Sequence, residues 1–99
     1  MLYVIKITGS SLEPAFNDGD YVLASRIPLW LRGIRAGDVV IFQHPAYGRL
    51  IKLVQQVDRA RGAVTVTGLR PGSVDSRQFG PIQARDVSAA VIGHIRKSG

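Results

Sequence analysis

Cysteine is absent from the 99 residues, which removes disulfides, thiolate nucleophiles and thiolate-held metals from consideration. Long apolar runs are missing too. The opening stretch 1–7 is too short for a secretory signal, and far shorter than the about 20 residues a spanning helix needs. The chain is therefore expected to be soluble, and cytoplasmic if complete, or to touch a membrane only at its surface. Acids are scarce, seven against thirteen lysines and arginines, and the resulting charge of +6 raises nucleic acid as a partner. Phosphate recognition needs those bases gathered on one surface, but they are scattered, and the densest group, Arg59 and Arg61, falls in an expected turn. No nucleic-acid partner is expected, and a solvated surface facing anionic lipid suits the charge better. The two histidines, His44 and His94, share no metal-ligand spacing and fit no serine triad, so neither a metal nor a cofactor is expected.

What is present is a series of short β-branched or aromatic runs punctuated by glycine, proline and aspartate, in a chain that is 45% apolar. Six runs read as strands: Leu2–Thr8, Tyr21–Arg26, Val39–Phe42, Arg49–Val57, Ala63–Thr67 and Val87–Lys97. Asp58–Gly62 reads as a hairpin connection. The pattern predicts an all-β fold, and the length predicts a single domain over 1–99 with one modest core.

Two segments break the rhythm. IPLWLRGIR, Ile27 to Arg35, lies between expected strands yet carries five large apolar residues. It either folds back as a satellite of the core or serves as a peripheral membrane contact through Leu29, Trp30 and Leu31, with Arg32 and Arg35 beside anionic headgroups. The second segment is LIKLV, Leu50 to Val54, apolar except for Lys52. One reading is an edge strand whose lysine discourages pairing with other chains. The other is a desolvated lysine, whose charged form burial disfavours, and which as a neutral amine can take a proton from a serine hydroxyl.

A serine for that role stands in GSSLEP, Gly9 to Pro14. The hexapeptide resembles the G-x-S-M-x-P box of the signal-peptidase-like serine–lysine peptidases, a family that also includes the self-cleaving repressors of the SOS response. NDGDYVLAS at 17–25 is similar to the family's G-D-x-V-x-V strand, GDVVIF at 37–42 to its next box, and IKLV at 51–54 to I-K-R-V. SVDSRQFGPI at 73–82 is similar to S-x-D-S-R-x-F/W-G-x-V, in wording shared with signal peptidases and with the small proteases that mature nickel superoxide dismutase. The boxes occur in the family's order, and it is this order that makes the resemblance specific.

The resemblance implies a curled, mostly antiparallel β-fold and a serine endopeptidase. By it, Ser11 is the nucleophile and Lys52 the general base. Backbone N–H groups at Ser10 and Ser11 would hold the oxyanion, Ser73 would orient the lysine, and Asp75 and Arg77 would form a supporting ion pair. The implied substrate is a protein segment, bound in extended form and cut after a small residue. Leu12 stands where the family has methionine, Gly9 where some members carry a side-chain oxyanion donor, and Leu53 where arginine is common. The contrasting reading is a non-catalytic β-module of the same fold that binds peptide, a lipid surface or nucleic acid.

Overall fold

The computed structural model describes residues 2–9, 12–69 and 74–96. Its strands are β1 (Leu2–Lys6), β2 (Tyr21–Ser25), β3 (Val39–His44), β4 (Gly48–Asp58), β5 (Ala63–Thr67), β6 (Ile82–Gln83) and β7 (Val87–Ile95). Two short helices, α1 (Ile27–Arg32) and α2 (Ser76–Phe79), and one 3-10 turn, Ala84–Asp86, complete the elements. The strands form one sheet in the order β1-β2-β7-β3-β4-β5-β6, and every pairing is antiparallel. The register shifts at Leu23/Ala24, Ile41/Phe42 and Val54/Gln56. Such bulges bend and twist a strand locally, which lets an open sheet curl.

Because side chains alternate along a strand, the central strands carry a core on each face. Val40 and Phe42 of β3 pack with Val54, Val64, Val66, Val87 and Ile34. Ile41, between them, points the other way and packs with Ala24 and Ala89. Against that second cluster lie both Ile5 of β1 and Ile51 of β4, so the curl brings the first strand of the sheet to the fifth.

The strand expectations hold to within two residues at each end, and the Asp58–Gly62 hairpin forms, with Arg61 N–H donating to the Asp58 carboxylate at 3.2 Å. IPLWLRGIR is a satellite of the core only in part. Its first six residues form α1, begun by Pro28, whose missing N–H costs nothing in the first turn. Leu29 and Ile34 pack on the core, whereas Trp30 and Leu31 are 68% and 81% exposed. Arg32 fixes the helix end by a two-pronged bond to Asp38 at 2.9 and 3.0 Å.

The edge-strand reading of Lys52 requires correction, since β4 lies between β3 and β5. It survives locally, however. Lys52 pairs with Val40 on β3, but pairing with β5 begins only at Leu53 opposite Thr67. Among the described residues, the Gly48–Lys52 half of β4 thus keeps its second edge unpaired.

Candidate active site

Lys52 is 2% exposed, in a strand whose neighbours Leu50 and Val54 belong to the core. Burial lowers its pKa below the ordinary lysine value, and the negative charge of Asp75 opposes that fall. Among the described residues no carboxylate forms an ion pair with it. Burial thus shifts Lys52 toward its neutral amine form.

Asp75 is fully buried and stays ionised through its partners. Its carboxylate accepts from the Arg77 N–H at 2.9 Å, Arg77 Nε at 3.1 Å and a terminal Arg77 nitrogen at 3.0 Å. It also accepts from the Gly68 N–H at 3.1 Å and the Thr67 hydroxyl at 3.3 Å. Burial alone would raise its pKa; these donors, Arg77 foremost, hold it well below the usual carboxylate range. The same residue caps α2, while the Gln78 side chain accepts from the Asp75 N–H at 2.9 Å, a reciprocal arrangement that ends the chain's extended run. Ser76 Oγ accepts from the Val66 N–H at 2.9 Å and docks the helix on β5. Residues 75–79 thus clamp α2 to the end of β5, and the charge of Asp75 reaches Lys52.

Ser10, Ser11 and Ser73 lie outside the described residues. The chain on either side of the serine pair is well anchored. Ile7 N–H donates to Asp20 O at 2.7 Å and Gly19 N–H to Ile7 O at 2.9 Å, closing the base of the β1–β2 connection. Gly9 takes φ +90°, a conformation that favours glycine, and gives its N–H to Asp18 Oδ1 at 2.9 Å. Glycine at this position therefore has a backbone reason. Leu12 is 3% exposed, so the leucine that stands for methionine fills an apolar site.

Gly9 and Leu12 line one cleft with Lys52. Its walls are residues 5–9 and Leu12 on one side and residues 49–52 of β4 on the other, and its volume is about 90 Å³. Among the described residues, strand β1 pairs only with β2, and the facing half of β4 only with β3. The cleft is therefore a slot between two strand edges with main-chain groups to spare. Sequence reasoning found Lys52 but not this slot or its wall residue Arg49, because both depend on where β5 stops pairing.

The histidines take other roles. His94 Nε2 lies 2.8 Å from Asp20 Oδ2 and its ring sits 4.6 Å from that of Phe16, bracing the loop after the serines against β7. His44 Nδ1 accepts from the N–H groups of Ala46 and Tyr47 at 3.0 and 3.3 Å, ordering the β3–β4 turn. Nothing in the sequence joins His94 to a residue 74 positions away.

The family model described as signal peptidase, peptidase S26, matches residues 1–68. That span holds Lys52 and every sequence box except the one at 73–82. No curated protein matches the chain.

Proposed function

This chain belongs to the signal peptidase family, peptidase S26, and from that premise we propose that it is a serine endopeptidase in which Ser11 attacks and Lys52 serves as the base. The observation that carries the reading is the cleft shared by a buried lysine and by both residues flanking the serine pair, Gly9 and Leu12.

In the acylation step the Ser11 hydroxyl adds to the scissile carbonyl while its proton passes to the neutral Lys52 amine, which then protonates the departing amine. Deacylation repeats the sequence with water as nucleophile. The oxyanion is held by backbone N–H groups at Ser10 and Ser11, each such donor being worth about 3 kcal/mol. The Gly9 N–H, committed to Asp18, takes no part. Ser73 orients the lysine, and Asp75, bonded to Arg77 and to the Gly68 N–H, anchors the chain that follows it at the end of β5.

The substrate enters the slot as an added strand, bonding through its main chain to the two unpaired edges. A slot of about 90 Å³ favours a small side chain at the cleavage point. The test is cleavage of alanine-containing peptides by the wild type and by Ser11→Ala and Lys52→Met. Both substitutions are expected to abolish turnover and leave the circular dichroism spectrum unchanged; wild-type turnover in Ser11→Ala would sink the proposal. If peptides bind but are never cut, the non-catalytic module is the better reading.

The proposal extends to an anionic membrane surface as a peripheral partner of α1. Its support is the outward display of Trp30 and Leu31 beside Arg26 and Arg35, an aromatic and aliphatic pair flanked by cations.

A further inference from the structure

The slot has a charge that neither the dyad nor the fold requires. Lys6 of β1 and Arg49 of β4 are both exposed and both line it, and none of its lining residues is acidic. Among the described residues neither cation forms an ion pair, although the likewise exposed Arg61 and Arg77 both do.

Their position along the slot follows from topology. Four successive antiparallel pairings, β1 with β2, β2 with β7, β7 with β3 and β3 with β4, leave β1 and β4 running in the same direction. Lys6 and Arg49 therefore lie toward one end, and Gly9, Leu12 and Lys52 toward the other. A strand advances about 3.3 Å per residue, which sets Arg49 about 10 Å from Lys52, or about three residues of an extended substrate.

We infer that Arg49 is a specificity-determining residue, with Lys6 adding to the positive field of the slot, and that it selects segments carrying an acidic side chain about three positions from the bond placed at Lys52. The inference rests on the slot being the substrate site, as proposed above. Alternation puts Arg49 on the face of Ile51 and Lys6 on the face opposite Ile5, so a substrate carboxylate pairs with Arg49 while Lys6 adds to the positive field. Main-chain pairing fixes register, and that contact favours one register over those shifted by a residue. Solvent screens both cations, so the preference is modest in size and sensitive to salt.

The experiment uses the full chain and a set of amide-capped, alanine-containing peptides with glutamate or its neutral isostere glutamine scanned through five positions on each side of the alanine. Cleavage by the wild type and binding to Ser11→Ala, followed by fluorescence anisotropy, are read in parallel. Glutamate at one position should improve kcat/KM and Kd by about threefold to tenfold over glutamine at low salt, and the advantage should fade at high salt. Arg49→Gln should remove most of the ratio and Arg49→Glu should reverse it toward a lysine-bearing peptide, with melting temperatures near that of the wild type. Equal cleavage of all peptides overturns the inference and leaves the peptidase reading standing. Glutamate-dependent binding without any cleavage supports the inference and overturns the peptidase. An advantage seen only with an uncapped C-terminus, or one unchanged in Arg49→Gln, also overturns it.

Discussion

Replacing Asp75 by asparagine keeps the shape of the side chain and removes its charge. The carboxylate is fully buried and accepts from two backbone N–H groups, one hydroxyl and the Arg77 guanidinium. An amide has one oxygen to offer, and its NH₂ group must then face a donor. Hydrogen bonds to a charged acceptor contribute about 1.5–3 kcal/mol, and a buried donor left unpaired costs a similar amount. After discounting the solvent-exposed guanidinium, the expected loss at neutral pH is about 3 kcal/mol. For a chain of this size that corresponds to a fall in melting temperature of about 12–24 °C.

The pH dependence gives a sharper check. The folded-state pKa of Asp75 is depressed, so its contribution is fully present above the unfolded carboxylate value of about 3.9 and is lost as pH falls toward the folded value. The stability gap between wild type and Asp75→Asn should therefore narrow by about 1.2 kcal/mol between pH 5 and pH 3, while other carboxylates cancel in the difference. Urea unfolding followed by far-ultraviolet circular dichroism measures both quantities. A melting temperature within about 4 °C of the wild type at pH 7, or a gap that stays constant down to pH 3, would refute the reasoning.

Lys52→Met is expected to melt at or above the wild-type temperature at pH 7. The pKa of Lys52 is lowered by burial, so the cost of ionising it in the folded state is fully present below its folded pKa and disappears by about pH 10.5. The variant's advantage should shrink across that window, and a large destabilisation at neutral pH contradicts a buried amine. Trp30→Ser should weaken co-sedimentation with vesicles containing phosphatidylserine while leaving peptide cleavage unchanged; equal sedimentation removes the membrane from the account. Ser76→Ala frees the Val66 N–H and is expected to cost about 1 kcal/mol in urea unfolding, a value near zero showing that water replaces the hydroxyl.

Strands were legible because their signal is local. Tyr21–Ser25 and Ala63–Thr67 alternate or branch within five residues, and glycine or aspartate bounds them. The two-residue β6 has no such signal, and α1 is too short for a helical period to emerge from a segment that begins with isoleucine and proline. Lys52 stood out because an ammonium contradicts its apolar neighbours. Its true surroundings did not, since they depend on Asp75 being carried over by the α2 clamp and on β5 stopping one residue short. Likewise Asp20 and His94 are ordinary in sequence and meet only because β7 returns to lie beside β2.

That early stop of β5 has a consequence for what the protein can act on. A sheet that continued its pairing to Gly48 would bury the edge beside Lys52, and one that stopped much sooner would leave a broad opening. As built, the space between β1 and β4 is about 90 Å³, while a single turn of helix with its side chains, about 10 Å across and about 5.4 Å long, occupies about 400 Å³. A helical or already sheet-bound segment has neither the shape nor the free main-chain groups to enter. On the proposed reading, in which a substrate adds to these edges as a strand, fold state is read before composition: the same residues are open to the slot while a client chain is unfolded and closed to it once that chain has folded.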